Sequence, residues 1–422
     1  MPNAQLSVFQ GANLLLSALL GSSVLIIPAL AASEAGLYSL VGWLIIIAVM
    51  IPVVFTFSGL GRRYPHEGGT AHYVAHAFGP SHSKAIAWLY LAIAPIGPPV
   101  VFITGASYFS QIFGGLTLPA LTLELAMLAL VTLMNFVKLK TSAKLQSLIS
   151  WALVVAIILV SISSLFYQDA TIQAPIVPFE IGHLGAAIAI MFWSFVGIEA
   201  ICHVANEFKD PSRDFPKAVF IGVGAAAALY IVISYAVVVH GAYGSESKNL
   251  NSITHIAEIG LGVFGQRLVA ILGFLGCFAA VNLYLMSFVR MLYSLFEGKG
   301  NQHPLRKKSS LGIPVAALFL VSLSIALVLI TRNNLQFSFE SLLAIANAMF
   351  VVIYLAASLA GIKLLTGSVR IAAIAAAIFC AIILYFTGVS GLQALGIYLV
   401  FFILDHLSNA FNRTKPKSSH SI

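Results

Sequence analysis

Glu199, His203 and Glu207 follow one another at intervals of four residues, and the first two stand in an otherwise apolar stretch. The i, i+4, i+8 spacing puts all three on one face of a helix. Carboxylate and imidazole groups stepped along a face can pass protons, and a carboxyl inside an apolar segment is costly enough to be read first as functional. Glu199 is thus a candidate for a group that changes protonation state, with His203 relaying or tuning it. A plainer arrangement fits the same residues: a protonated Glu199 bonded to a neighbouring helix, a packing His203, and a Glu207 paired with a nearby Lys or Arg. A metal centre is not supported, because zinc needs three or four convergent ligands. His72 and His76 also share a face, with His66 and His82 near, but in a polar loop or short helix where solvated surface accounts for them.

The second kind of chemistry belongs to the backbone. Leu20-Gly21-Ser22-Ser23-Val24, with Pro28 beyond it, puts a glycine and two hydroxyls inside an apolar run. Gly21 permits unusual dihedrals and the serines compete for backbone hydrogen bonds, so a break here aims free amides at a carboxylate. Close packing of helices on small residues is the other reading. Phe192-Trp193-Ser194-Phe195-Val196-Gly197-Ile198-Glu199 offers a second break, at Gly197. Ala94-Pro95-Ile96-Gly97-Pro98-Pro99 removes three backbone donors and predicts a kink.

These residues need helices to hold them, and the composition says which kind. The 422 residues are 60% hydrophobic and 9% charged, with a mean hydropathy of +0.98. A soluble domain carries about 25% charged residues. An ordinary soluble enzyme, a disordered chain and a disulfide-rich secreted module are thereby excluded. Cys202, Cys277 and Cys380 all sit in apolar runs and form no CxxC pair. At about 20 residues per crossing, the apolar runs predict twelve transmembrane helices: Val8–Ala31, Gly36–Leu60, Ala85–Phe113, Pro119–Val137, Leu145–Tyr167, His183–Glu207, Lys217–Ala242, Gly265–Phe296, Gly312–Thr331, Phe339–Leu365, Val369–Thr387 and Gly391–Phe411. Runs such as Val41–Phe57 do not alternate, which excludes barrel strands.

With that count, nineteen of the 22 Lys and Arg fall on one side, and only Lys248, Arg267 and Arg332 on the other. The positive-inside rule then puts both termini in the cytoplasm. The net charge of +8 follows from topology signals and anionic lipid, with no nucleic-acid partner required. The N-terminal run lacks a basic leader and is interrupted by Gly11, Asn13 and Gly21, so it reads as a retained first span; residues 412–422 read as a basic tail. The spans leave no room for a separate soluble domain. Broken segments in spans one and six, five helices apart, point to inverted repeats around a central site: a first repeat over 8–167, a second over 183–365, and two extra helices over 369–411. Apart from Glu199 and His203, no nucleophile–base pair or metal cluster stands inside the spans, so a membrane-embedded enzyme is not expected.

Several of these motifs resemble the amino acid–polyamine–organocation (APC) superfamily. Gly21-Ser22-Ser23-Val24-Leu25-Ile26-Ile27-Pro28 resembles its first-span glycine motif, and Tyr64-Pro65-His66-Glu67-Gly68-Gly69 its loop between spans two and three. Phe192 to Glu199, followed by Asn206-Glu207-Phe208-Lys209-Asp210-Pro211, resembles its sixth span and following loop, and Asn282 to Tyr293 its eighth. The sixth-span residues and the Pro-Ile-Gly-Pro-Pro stretch are most similar to the bacterial amino acid exporter group, which handles methionine and branched-chain amino acids.

The resemblance implies an all-α, leucine-transporter-like fold with five-plus-five inverted repeats and two extra C-terminal helices. It implies export of L-methionine, leucine, isoleucine and valine across the inner membrane, coupled to protons; an importer or exchanger of the same substrates is the alternative. No cofactor is expected, and a monomer and a homodimer stay equally open. On this reading the substrate carboxylate meets amides at Gly21, Ser22, Ser23 and Val24. Its ammonium meets carbonyls freed near Gly197, over Trp193, Ser194, Phe195 and Val196. Its side chain enters an apolar pocket of Phe192, Phe195, Ile96 and Gly97. Trp193 resembles the family's gate aromatic. Two departures stand out: Ser23 replaces a glycine, and Leu153 falls where some relatives carry a lysine in place of a sodium ion.

Overall fold

Apolar runs with almost no charges have one way to satisfy their backbone in lipid, which is to close it within helices. The computed structural model describes residues 6–64, 66, 69–115, 118–137, 143–167, 178–199, 207–296, 303–335 and 337–414, without the side chains of 143–147 and 408–414. Among them it is all-helical, apart from a single bridge between Leu6 and Phe208. The helices are α1 Val8–Leu20, α2 Ser23–Ala35, α3 Ser39–Arg63, α4 Gly69–Phe78, α5 Pro80–Ile93, α6 Gly97–Ile112, α7 Ala120–Phe136, α8 Ala143–Leu165 and α9 Ile181–Met191. There follow α10 Asp214–Val239, α11 Glu246–Leu250, α12 Ser252–Leu295, α13 Val315–Leu335, α14 Phe339–Leu364, α15 Gly367–Phe386 and α16 Val389–Thr414.

Nine helical runs among the described residues are long and apolar enough to cross a membrane, and three apolar helices are shorter: Val8–Leu20, Ala120–Phe136 and Ile181–Phe195. The expected spans overlap these runs, with exceptions: Ser23–Arg63 is a single run that takes in the end of the first expected span and the whole of the second. The third is two helices, α5 and α6, parted by a turn at Ala94–Ile96. Pro98 and Pro99 stand in the first turn of α6, where the missing donors have no partner to lose. The sixth leaves regular helix after Met191, far short of Glu207. Ahead of the eighth, Gly262 (φ +63°) bends α12 away from a leading segment that the hydropathy pattern did not predict.

The long helices are apolar nearly all round, and α15 sorts its faces by size instead. On α15, Ile371, Ile374, Ile378, Ile382 and Tyr385 form an outward ridge, while Ala373, Ala376, Ala377 and Cys380 are buried. The small inner face lets α15 lie closely on α14, where a β-carbon at Gly361 would come within 3.0 Å of Ala373. Exposed Leu44 and Ile51 on α3, and Phe319 and Leu327 on α13, continue this apolar exterior, as lipid requires. At one end of the bundle Arg332 joins α13 to Glu246 on α11 at 3.0 Å and to buried Glu124 on α7 at 3.9 Å.

Candidate functional site

The first break follows from local sequence. Ser7 and Gln10 cap each other's backbone and start α1. Gly21 ends it at φ 6°, ψ −120°, dihedrals outside the helical basin. Helix α2 restarts at Ser23, and Ser22 at its N-cap bonds no amide with its side chain. The Ser23 and Val24 amides therefore lack partners within their helix and carry its positive dipole end, while the Leu25 amide bonds the Ser22 carbonyl at 3.1 Å. Both serines are buried.

The second break is longer. After α9, Phe192–Phe195 winds as a single 3₁₀ turn, Val196 is extended, and Gly197 sits at φ +126° before Ile198 and Glu199 turn helical again. A continuous helix would bond the Phe195 carbonyl to residue 199 and the Leu19 carbonyl to residue 23. With both helices broken, tyrosines supply the donors. Tyr354 Oη lies 2.9 Å from Phe195 O, and Tyr230 Oη donates to Leu19 O at 2.7 Å. The Ser23 and Ser194 hydroxyls also face Tyr230, so α10 ties the two breaks together.

Glu199 is 1% exposed. Its Oε2 accepts from the Gly197 amide at 2.8 Å and from Tyr354 Oη at 2.5 Å, while Oε1 has no partner among the described residues. His203 lies outside the described residues, as does Cys202. Glu207 is exposed, in a loop where its carbonyl accepts from Leu6 N at 2.7 Å and Lys209 N donates to Leu6 O at 3.2 Å.

Between the breaks, the α5–α6 turn and α12 lies a cavity. Of the sequence-predicted residues, Gly21, Ser22, Ser23, Gly97, Trp193 and Val196 line it. Val24, Ile96, Ser194 and Gly197 stand beside it without lining it, and Phe192 and Phe195 turn their rings toward Tyr354 and Tyr230. The apolar wall comes from elsewhere: Val101 on α6, Ala280, Tyr284 and Phe288 on α12, and Phe350 on α14. Ala280, Tyr284 and Phe288 recur every four residues, a stripe visible in the sequence but indistinguishable there from ordinary packing. Trp193 meets Phe350 edge-on at 6.0 Å, and its ring lies 3.7 Å from where a β-carbon at Gly97 would sit.

The histidines of α4 form a separate stack. His66 and His72 rings lie 4.0 Å apart and nearly parallel, with His76 4.3 Å further on. Burial, then the neighbouring His66 and His76, hold the His72 imidazole down to about 4. No group of three His, Cys, Asp or Glu among the described residues is placed to hold a metal.

The arrangement sets the start of α2 at one break, the 3₁₀–Gly197 segment at the other and an apolar wall between them. A family model described as amino acid permease matches residues 6–415. The L-methionine/branched-chain amino acid exporter YjeH of Escherichia coli is 35% identical over 93% of this chain and 93% of its own. An uncharacterized amino acid permease of Bacillus subtilis, YecA, is 29% identical over 92% of each chain. The putrescine transporter PotE of Escherichia coli is 25% identical over 51% of this chain and 50% of its own.

Proposed function

This chain belongs to the amino acid permease family of the APC superfamily, a multi-pass membrane transporter and not an enzyme, and from that premise we propose that it exports L-methionine, leucine, isoleucine and valine in exchange for protons. The observation that carries the reading is the cavity bounded by two helix breaks, with the amide end of α2 on one side and the 3₁₀–Gly197 segment on the other. The substrate carboxylate sits at the first amides of α2. Its ammonium sits against the sixth-span backbone beside Val196, where the Trp193 carbonyl already accepts from the Val196 amide. Its side chain lies toward Gly97, Val101, Phe288 and Phe350.

That wall is apolar and tells one methylene from another by only about 1–3 kcal/mol, which supports a mixed range of neutral substrates. Trp193 closes one side of the cavity as the gate. Glu199, behind the second break, carries the coupling proton. The transport cycle is alternating access in a bacterial inner membrane, by twelve spans in two five-helix inverted repeats with two extra C-terminal helices and both termini cytoplasmic.

The test is efflux from cells loaded with methionine- or leucine-containing dipeptides, with and without the protein, and with the proton gradient intact or collapsed. Free methionine and leucine should appear outside faster with the protein, and the gain should vanish with the gradient. Uptake in place of efflux would reverse the direction, and movement of neither amino acid would reject the substrates.

Gly97 tests the side-chain end. A β-carbon there would lie 3.0 Å from Ile93 Cγ2 and 3.7 Å from the Trp193 ring, so Gly97→Val fills the cavity beside the gate. Methionine and leucine transport should fall about tenfold more than alanine transport, the scale of about 1–3 kcal/mol that overpacking carries. Competition assays on reconstituted protein check this, and an equal loss for all three substrates would remove the side chain from this wall.

A further inference from the structure

We propose that Tyr354 is the positioning residue that turns a proton on Glu199 into a change at the binding cavity, through the choice its one hydroxyl proton makes between two acceptors. The inference rests on the reading above, that the cavity takes a zwitterionic amino acid. Tyr354 Oη lies 2.5 Å from Glu199 Oε2 and 2.9 Å from the Phe195 carbonyl. A phenol carries a single proton, so it donates to one of them at a time.

The protonation state of Glu199 decides which. A hydrogen bond to an ionised acceptor is roughly twice as strong as one between neutral groups. With Glu199 ionised, the hydroxyl points to the carboxylate, and the Phe195 carbonyl, already stripped of its helical partner by the break, stands bare. With Glu199 protonated, that advantage is gone and the amide carbonyl is the better acceptor. The hydroxyl proton then turns to Phe195 and ties the sixth-span break to α14. The ring need not move, because it is held against Phe57 at 4.8 Å and Phe192 at 5.0 Å between centroids.

Phe195 adjoins Val196, which lines the cavity. A bare carbonyl with a negative charge behind it favours a substrate ammonium there, and a capped carbonyl with a neutral carboxyl does not. Proton and substrate therefore compete, which is the sign that exchange in opposite directions requires. The other titratable groups facing Glu199 are Tyr284 on α12 and Tyr90 on α5, the latter bonded to Ser287 Oγ at 2.9 Å. No Lys, Arg, His or Asp lines the cavity or bonds Glu199 among the described residues.

Tyr354→Phe keeps the ring and removes the switch. The measurement is counterflow of labelled methionine into proteoliposomes with equal pH on both sides, stepped from about pH 5 to pH 8. Wild-type half-saturating methionine should fall as pH rises, approaching about tenfold per unit, the limit for one competing proton. Tyr354→Phe should still exchange methionine but lose at least about half of that logarithmic slope, a change that looser packing alone does not produce. An unaltered slope in Tyr354→Phe overturns the proposal, and so does a flat wild-type profile. A wild type that exchanges no neutral amino acid fails the substrate reading itself, and this proposal with it. Should Tyr354→Phe fail to insert, Glu199→Gln serves instead. Its neutral amide should fix the weak low-pH affinity at every pH, and tight binding at low pH would overturn the switch.

Discussion

Gly197→Ala abolishes most transport, with initial rates of methionine exchange falling more than about tenfold per inserted molecule. Two costs add at this position. At φ +126° any β-carbon strains the backbone, an expense of about 1–3 kcal/mol. The same β-carbon would stand 3.3 Å from Ala18 Cβ and 3.6 Å from Tyr284 Oη, so it pushes on span one and on the cavity wall together. The strained segment relaxes by moving Val196 and Glu199, the residues on either side of the break. Gly224→Ala is the control. It lies on the exposed face of α10 with nothing within 4 Å of an added β-carbon, and should leave the rate unchanged while adding up to about 1 kcal/mol of helix stability. Gly197→Ala transporting at the wild-type rate would show that the break is not needed in this conformation.

Glu199→Leu destabilises the protein where Glu199→Gln does not. The carboxyl oxygen receives the Gly197 amide and, in one of its two arrangements, the Tyr354 hydroxyl. Leucine leaves these donors buried without an acceptor, at about 1–3 kcal/mol for each unpaired group. Tyr354 recovers part of this by donating to Phe195, so the Gly197 amide carries most of the loss. Glutamine keeps an oxygen in place for the Gly197 amide while Tyr354 turns to the Phe195 carbonyl, so neither of these donors is stranded. Thermal unfolding in detergent should therefore show Glu199→Leu about 1–3 °C below wild type and Glu199→Gln close to it, the scale that such an energy gives in a chain of this size. Equal midpoints for the two would mean that Glu199 is not held by these donors. The contrast separates what the carboxyl does for the fold from what its proton does for transport.

How much of this was legible beforehand depends on which physical signal carries each feature. Helix positions were legible because lipid permits one backbone solution, and the apolar runs mark where it applies. The break at Gly21–Ser22 was legible because glycine and two serines interrupt an apolar run, and the α5–α6 turn because three prolines crowd six residues. Gly197 was visible as a possible break, but its φ of +126° was not, because a glycine in an apolar run is as often a packing residue as a turn. The cavity wall was least legible. Ala280, Tyr284 and Phe288 repeat as any buried helix face does, and only the close approach of Ala280 to Gly21, and of Gly273 on the same helix to Tyr108 on α6, makes that face a lining. Phe192 and Phe195 were read into the pocket by nearness in sequence. A 3₁₀ turn rotates successive side chains by more than an α-helix does, and their rings point to Tyr354 and Tyr230 instead. Tyr354 itself gave no signal, because a tyrosine on a tenth apolar run is unremarkable until the carbonyl it serves has lost its own partner.

The packing of α1 has a consequence for how the chain is made. Its chief neighbour is α10, roughly two hundred residues later, with Gly222 close enough that a β-carbon would stand 2.9 Å from Ala12 O. Leu6 likewise finds its bridge only at Phe208. While the chain emerges from the ribosome, α1 must wait through most of the first half of synthesis with the Leu19 carbonyl and the α2 amides unsatisfied. Tyr230 reaches that carbonyl only when α10 arrives. Nascent chains that stop before α10 thus present a polar gap to lipid, and quality-control proteases have a ready mark by which to tell an unfinished molecule from a complete one.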